Sequence, residues 1–228
     1  MEQCSKGTID WWCCANAARR HQCPSSRSAP AGAPRLRRAM RANVFWVAGS
    51  WAGKLGIVAR PRGGDWLGDE TRAWREAGVD ILVSLLEPEE EAQLVLEGEA
   101  AAAAASGVEF RPFPIPDRGV PRSRESVAEL ARGIVDALET GRNVAVHCRQ
   151  GIGRSALIVG SILVAAGHDP NTALKTIEES RGLEVPETDE QRQWLRDFAS
   201  WLASTQAAQQ AAAADERRGV VRAGSRRS

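Results

Sequence analysis

The sequence has no stretch of about 18 uninterrupted apolar residues, the length that a membrane-spanning helix needs. Its N-terminus also lacks a positively charged segment leading into an apolar core and a cleavage site, the pattern of a secretory signal. Its charges nearly cancel, because 30 lysines and arginines face 29 acidic residues. This balance favours neither a nucleic acid nor an anionic membrane as partner. We therefore predict a cytoplasmic protein that binds neither.

Cysteine is nearly absent from the body of the chain. Four of the five cysteines lie within the first 23 residues, and only Cys148 lies beyond them. This distribution is a poor disulfide framework, and a solitary cysteine in a reducing compartment keeps the thiol that nucleophilic chemistry requires. The early cysteines and His21 match no standard zinc-ligand spacing, so we predict no metal site.

Composition divides the chain into three parts. Residues 1–40 show no helical or strand period and include a stretch rich in serine, alanine and proline, so we predict a disordered extension. Because Met40 directly precedes the first regular apolar segment, the true start is open between Met1 and Met40. Glutamine, alanine and arginine dominate residues 204–228, for which we predict a disordered tail. Residues 43–203 are expected to form one folded domain.

Strand and helix patterns alternate along this domain. Short apolar, β-branched runs predict strands, and amphipathic or alanine-rich segments predict helices. The predicted strands are 44–48, 79–86, 108–115 and 143–147, and the predicted helices are 71–77, 88–105, 123–140, 155–166, 171–180 and 188–203. This order is typical of an α/β fold with a central, mostly parallel sheet flanked by helices.

The most informative segment joins the last strand to the helix that follows it. A glycine-containing loop that runs into a helix start offers converging backbone N–H groups and the positive end of the helix dipole, which together cradle a phosphate. The predicted phosphate-binding residues are Arg149, Gln150, Gly151, Ile152, Gly153 and Arg154. Of these, Arg154 adds a planar, two-pronged donor that suits phosphate oxygens.

The same loop begins with a candidate nucleophile. Its positive surroundings favour the thiolate form of Cys148, which would lie beneath the phosphorus for in-line attack. We expect His147 to orient the loop through hydrogen bonds, and the Ser155 hydroxyl to stabilise the thiolate and help it leave.

The leaving group needs a proton, which predicts a carboxylic acid on a nearby movable loop. Asp117 fits this role, because it follows a predicted strand in a segment flanked by prolines, residues 114–121. A plain turn aspartate is the alternative.

The segment from His147 and Cys148 to Arg154 and Ser155 resembles the signature of the protein tyrosine and dual-specificity phosphatase superfamily. The wording around Asp117 is similar to that of compact dual-specificity enzymes of the kinase-associated phosphatase type. The resemblance covers residues 43–203 and implies that this domain is catalytic, with Asp117 as general acid and then general base. It also implies that Gln191 guides the attacking water, with Gln193 as rival and a solvated helix position as the alternative for either.

Further features bear on the substrate. The sequence contains no tyrosine, whereas tyrosine-specific members deepen their pocket with an aromatic loop, so a shallow pocket is implied. Five arginines predict a basic mouth that favours substrates with additional negative charge, unless they are simply solvated; these are Arg111, Arg118, Arg122, Arg124 and Arg149. The loop lacks the lysines of many inositol-lipid phosphatases.

These observations predict a monomeric, metal- and cofactor-independent phosphatase. It would act on phosphotyrosine and on phosphoserine or phosphothreonine in proteins, through a phosphocysteine intermediate. Three alternatives stay open: an inert phosphoprotein-binding module, a phosphatase for non-protein substrates such as inositol phosphates, and another thiol enzyme such as a sulfurtransferase or arsenate reductase.

Overall fold

In the part of the chain that the structure describes, the sheet has five strands in the order β1-β2-β5-β3-β4. It is described by a computed structural model of residues 42–224, with side-chain surroundings through residue 212. The strands are β1 Phe45–Val47, β2 Leu55–Ala59, β3 Ile81–Ser84, β4 Glu109–Pro112 and β5 Val144–Cys148. Only β1 runs antiparallel to its neighbour, and the remaining pairs are parallel. The predicted mostly parallel sheet is confirmed.

Strand β2 lies next to the centre of the sheet, yet the sequence-based prediction lacks it. It pairs with β5 over its whole length, and Ala59 lies opposite Cys148. Its apolar residues are buried, but the strand has only five residues and Gly56 interrupts the apolar run. A glycine inside a short strand weakens the pattern by which strands are predicted.

Helices cover both faces of the sheet. Their bounds are α1 Leu67–Glu76, α2 Pro88–Leu94, α3 Glu99–Ala105, α4 Arg124–Glu139, α5 Arg154–Ala165, α6 Pro170–Arg181 and α7 Asp189–Gly224. The larger apolar core joins one face to α4, α5, α6 and α7. A second core joins the opposite face to α1 and α3 through Trp74 and Ala103. This arrangement confirms the predicted flanking helices.

The single helix predicted over residues 88–105 is wrong, because the chain forms two helices there. At the end of α2, Val95 takes a left-handed conformation with φ of 56°. The Gly64 N–H donates to the Val95 carbonyl at 3.1 Å, and a Cβ on Gly63 would lie 2.2 Å from the Leu94 carbonyl oxygen. This close backbone approach holds the turn, so alanine-rich composition alone does not decide the helix length.

A disordered tail was predicted from residue 204, whereas in the structure α7 continues to Gly224. Alanine and glutamine dominate residues 206–214, and both are good helix formers that extend an existing helix. Residues 225–228 lie outside the described residues, as do the predicted extension 1–40 and its cysteines. Among the helices described, none is both long and apolar enough to cross a membrane.

Side-chain alternation along β5 decides what the last two residues of the strand face. Val146 and Cys148 belong to the core beneath α5. Ala145 belongs to the opposite core, and the His147 ring lies 6.1 Å from the ring of Trp74 in that direction. Successive residues of a strand point to opposite faces. Cys148 and His147 therefore lie on different sides of the sheet.

Candidate active site

The candidate nucleophile lies at the carboxyl edge of the sheet, where β5 gives way to α5. Cys148 is buried, and the Gly151 N–H donates to its Sγ at 3.3 Å. Gly151 has φ of +69°, and a Cβ there would lie 2.9 Å from the Val58 carbonyl oxygen. Only glycine fits both demands, so it lets the loop fold back against β2 and over the sulfur.

The loop forms the floor of a cleft of about 250 Å³. Among the described residues no aromatic side chain lines it; the lining residues are Asp117, Arg118, Cys148, Arg149, Gln150, Ile152, Gly153, Arg154 and Glu187. All the predicted phosphate-binding residues except Gly151 are among them. The cleft has room for a phosphate group. It lacks the aromatic side walls that would make a deep pocket for a phosphotyrosine ring.

Arg154 is the first residue of α5 and is almost fully buried. Its Nη1 and Nη2 donate to the two carboxylate oxygens of Glu90, at 2.5 and 2.9 Å. Nη1 also donates to the carbonyls of Leu85 and Ile115, at 3.3 and 2.9 Å. Burial works to lower the pKa of Arg154, but Glu90, Cys148 and Asp117 raise it overall. The guanidinium is therefore held as a fixed cation.

Glu90 is a site residue that the sequence analysis missed. It sits in the first turn of α2, where its acidity alone indicated no more than a favourable interaction with the helix dipole. The Glu87 N–H donates to it, and together they form a capping box. Burial works to raise the pKa of Glu90, but the hydrogen bonds of Arg154 and the backbone, with the charges of Arg154 and Arg149, lower it. The available signal was its position just after β3, at the edge where the loop lies.

Asp117 lies between β4 and α4 and reaches the same arginine. Its Oδ1 accepts from Arg154 Nη2 at 2.8 Å, and its side chain is half exposed. The structure thus brings the predicted acid and the predicted phosphate-binding arginine together over the cleft. A phosphate oxygen on Arg154 would compete with the Asp117 carboxylate for the same N–H group.

Of the two glutamines considered, only Gln191 contacts the loops that border the cleft, although it is not one of the lining residues. It is fully buried, and its Nε2 donates to the Gly119 carbonyl at 3.0 Å. A Cβ on Gly153 would lie 3.0 Å from its Oε1, so it touches the loop as well. Gln193 is exposed and interacts with its own helix neighbours.

The side chains of His147 and Ser155 do not make the hydrogen bonds that the motif predicts. Within residues 42–224 neither ring nitrogen of His147 makes a hydrogen bond, so the expected bonds to the loop are not seen. The physical reason is the alternation of β5, which turns the imidazole to the opposite face, with Nε2 3.2 Å from Glu99 Oε1. Ser155 is buried beside the loop, and its hydroxyl has no hydrogen-bond partner among the described residues.

Fewer arginines lie at the mouth of the cleft than the five that were predicted there. Of these five, only Arg118 and Arg149 line the cleft, beside Arg154. Arg118 pairs with Glu187 at 3.2 Å, whereas Arg149 is 3.9 Å from Glu90, which already holds Arg154. Arg111 and Arg124 pair with carboxylates away from the cleft. In the described part of the chain, no cluster of three or more histidine, cysteine or acidic side chains is placed to hold a metal ion.

Sequence comparisons match this region to one phosphatase family and to curated relatives with another name. The profile of the family described as "Polymorphic toxin system, DSP-PTPase phosphatase" matches residues 57–168. Cyclin-dependent kinase inhibitor 3 of Rattus norvegicus is 29% identical over 100 residues, covering 43% of this chain and 47% of the rat protein. The Homo sapiens protein is 28% identical over the same length and shares. The chain spans about half the length of the curated relatives it matches.

Solved structures of phosphatases share the fold. Kinase-associated phosphatase with its catalytic-site cysteine replaced by serine gives a TM-score of 0.64 at 19% identity, covering 72% of this chain and 97% of that one. Tk-PTP in its active form gives a TM-score of 0.56 at 26% identity, covering 69% and 96%.

Proposed function

Because the chain belongs to the cysteine-based protein tyrosine phosphatase superfamily, dual-specificity type, we propose that it hydrolyses phosphate monoesters through a phosphocysteine intermediate. The observation that carries the proposal is the convergence of Cys148, Arg154 and Asp117 on one cleft. We place the catalytic domain at residues 43–203, acting as a monomer in the cytoplasm, where Cys148 would stay reduced.

In the first step the Cys148 sulfur attacks phosphorus and the bond from phosphorus to the leaving oxygen breaks. Arg154 and the loop N–H groups would bind the phosphoryl oxygens, whose charge the fixed guanidinium stabilises in the transition state. Glu90 holds that guanidinium from behind through two hydrogen bonds, so little reorganisation is needed. Asp117, displaced from Arg154 by the phosphate, would give its proton to the leaving oxygen.

In the second step water attacks the phosphocysteine and the bond from sulfur to phosphorus breaks. Asp117 would take the proton of the water, and Gln191 would hold the water in line. The contacts of Gln191 with Gly119 and Gly153 support this role. They hold its amide between the segment that carries Asp117 and the loop that follows β5. Ser155, buried next to the loop, would donate to the departing thiolate.

The expected substrates are phosphoproteins that carry phosphotyrosine, phosphoserine or phosphothreonine. A cleft without aromatic walls supports this permissive range, because a short phosphoserine can reach the floor as well as a long phosphotyrosine. The curated relatives are named as a kinase inhibitor, which agrees with a protein as partner. An assay of purified protein with a phosphopeptide panel, inositol phosphates and a chelator tests both the range and the absence of a metal requirement.

Asp117→Asn is expected to lower kcat about a hundredfold on phosphopeptides, because amide nitrogen cannot supply the proton to the leaving oxygen. The wild type should give a bell-shaped pH profile, whose rising limb reflects the thiolate and whose falling limb reflects the acid. The variant should lose the falling limb. Steady-state kinetics over pH measure both effects, and Asp136→Asn on α4 is the matched control. An unchanged profile in Asp117→Asn would remove Asp117 from the mechanism.

Arg149→Glu is expected to lower kcat/KM about tenfold for phosphopeptides with acidic neighbours, and much less for a small aryl phosphate. The reason is that Arg149 lines the cleft with a side chain 42% exposed and only a distant carboxylate as partner. Arg132→Glu makes the same charge change on an exposed position of α4. Equal losses on both substrates would show that Arg149 does not select for acidic neighbours.

A further inference from the structure

Buried polar atoms without hydrogen bonds gather around the end of β5. Of the seven such side-chain atoms in the described residues, six belong to Ser84, Glu99, His147 and Ser155. Both carboxylate oxygens of Glu99 and both ring nitrogens of His147 are among them. A buried carboxylate without a compensating partner is strongly destabilising. Such a group next to the nucleophile calls for a functional explanation.

Glu99 and His147 compensate one another. Glu99 is the first residue of α3 and is 1% exposed, and His147 is fully buried. Their atoms Oε1 and Nε2 lie 3.2 Å apart, within the range of an ion pair, although the alignment falls short of a hydrogen bond. The pair lies on the face of the sheet opposite Cys148, behind the strand end that carries the nucleophile.

One proton must lie between the carboxylate and the imidazole at this distance, because two acceptors would otherwise face each other in a dry interior. One more carboxylate interacts with the pair, that of Glu91 on α2. Burial, and after it the charge of Glu99, raises the pKa of Glu91, while His147 acts in the opposite sense. A neutral imidazole could supply this single proton from Nε2, but it would leave the charge of the buried Glu99 carboxylate uncompensated. An imidazolium, protonated on both ring nitrogens, compensates that charge, and the surrounding negative charge favours it.

We propose that Glu99 is a positioning residue of the active site: it keeps His147 protonated and fixes the imidazole behind the nucleophile. His147 is the residue before Cys148, and its carbonyl accepts from the Leu85 N–H at 3.0 Å. Glu99 thus holds the ring of His147, and Leu85 holds its backbone carbonyl. Together these two contacts restrict the movement of the end of β5. The fixed imidazolium also places a positive charge near the sulfur. The role in catalysis rests on the proposed function, whereas the protonated pair does not.

The first test is nitrogen-15 NMR of the imidazole groups in the full chain at neutral pH. The chain has three histidines, so His21→Gln and His168→Gln assign the third signal by elimination. We expect both ring nitrogens of His147 to be protonated in the wild type, and one of them to lose its proton in Glu99→Gln. A neutral His147 in the wild type overturns the proposal, and this measurement needs no variant of the pair to fold.

The second test compares Glu99→Gln with Glu97→Gln, an exposed carboxamide exchange two residues away. We expect Glu99→Gln to lower kcat about tenfold with KM unchanged, because the phosphate-binding groups stay in place. Alkylation of Cys148 by iodoacetamide at slightly acidic pH should slow about threefold to tenfold, since a nearby positive charge is lost. Glu97→Gln should match the wild type in both. A Glu99→Gln protein with wild-type kcat and alkylation rate contradicts the role.

The tests separate the two proposals. NMR and alkylation need no turnover, so they report on Glu99 even if the protein hydrolyses no phosphate ester. Conversely, an active phosphatase whose His147 is neutral keeps the proposed function and loses only the role of Glu99.

Discussion

Cys148→Ser is expected to reduce phosphate release by a factor on the order of 10⁴ or more, with the fold intact. A serine hydroxyl is far less acidic than a thiol, so the loop that stabilises a thiolate supplies no comparable alkoxide, and no covalent intermediate forms. The exchange is nearly isosteric at a buried position, so the loop should still bind phosphate. Hydrolysis of an aryl phosphate in a chelator, together with a thermal unfolding curve, measures both.

The matched control for this prediction is Cys23→Ser, the same exchange in the N-terminal extension, which is expected to keep full activity. Inorganic phosphate or vanadate should still bind to both proteins. Such binding would show that the exchange leaves the cleft intact. If wild type and Cys148→Ser release phosphate at the same rate, the thiol is not the nucleophile and the assignment collapses. Phosphate binding without turnover in the wild type would instead favour the inert binding module.

Arg154→Lys is expected to lower kcat/KM about 10³-fold, the second largest effect. The guanidinium uses two nitrogens to hold Glu90 and still offers Nη2 to the position that Asp117 now occupies. A lysine ammonium is a single point charge, so it cannot face both the carboxylate and a phosphate in fixed geometry. The loss should appear in kcat and in KM together, because the arginine binds phosphate in the ground state and more strongly in the transition state.

The control for Arg154→Lys is Arg72→Lys, the same exchange at an exposed arginine that pairs with Asp69 on α1. It should leave both constants within about twofold of the wild type. The stability of Arg154→Lys should also fall, because Glu90 keeps its burial and loses a hydrogen bond. The lowered pKa of Glu90 means that this stabilisation holds at neutral pH and is lost as pH falls through that pKa. Wild-type kinetics in Arg154→Lys would contradict the phosphate-binding role.

The parts of the site that lie within one local segment could be predicted from the sequence. The strand, the glycines and the helix start around Cys148 and Arg154 follow from local chemistry, because a phosphate cradle needs those residue types in that order. Asp117 was predictable in the same way, from the need for an acid near a strand end. For Cys148 and Asp117 the structure adds the distances rather than the identities.

The parts that depend on packing between distant segments could not be predicted. Glu90 and Arg154 are 64 residues apart in sequence, and nothing local to Glu90 distinguishes a ligand of arginine from a helix-capping acid. The sequence around Glu99 predicts an alanine-rich helix and gives no sign that Glu99 is buried. Its burial depends on the turn at Val95, where α2 ends before α3 begins. Strand β2 is recognised by its partner β5 more than by its own five residues.

The motif itself obscured the orientation of His147. A loop signature names neighbours in sequence, and it therefore groups His147 with Cys148. The sheet separates them, because adjacent strand residues face opposite sides. Because side chains alternate along β5, His147 requires a partner on the face of the sheet opposite Cys148.

The central claim is most directly tested by rapid quenching of the wild type with a phosphorus-32-labelled phosphopeptide, followed by mass spectrometry of the labelled protein. We expect a phosphoryl group on Cys148 that appears before free phosphate and vanishes when substrate is exhausted. The label should be absent from Cys148→Ser. Steady release of phosphate with no label on Cys148 at any time would contradict it.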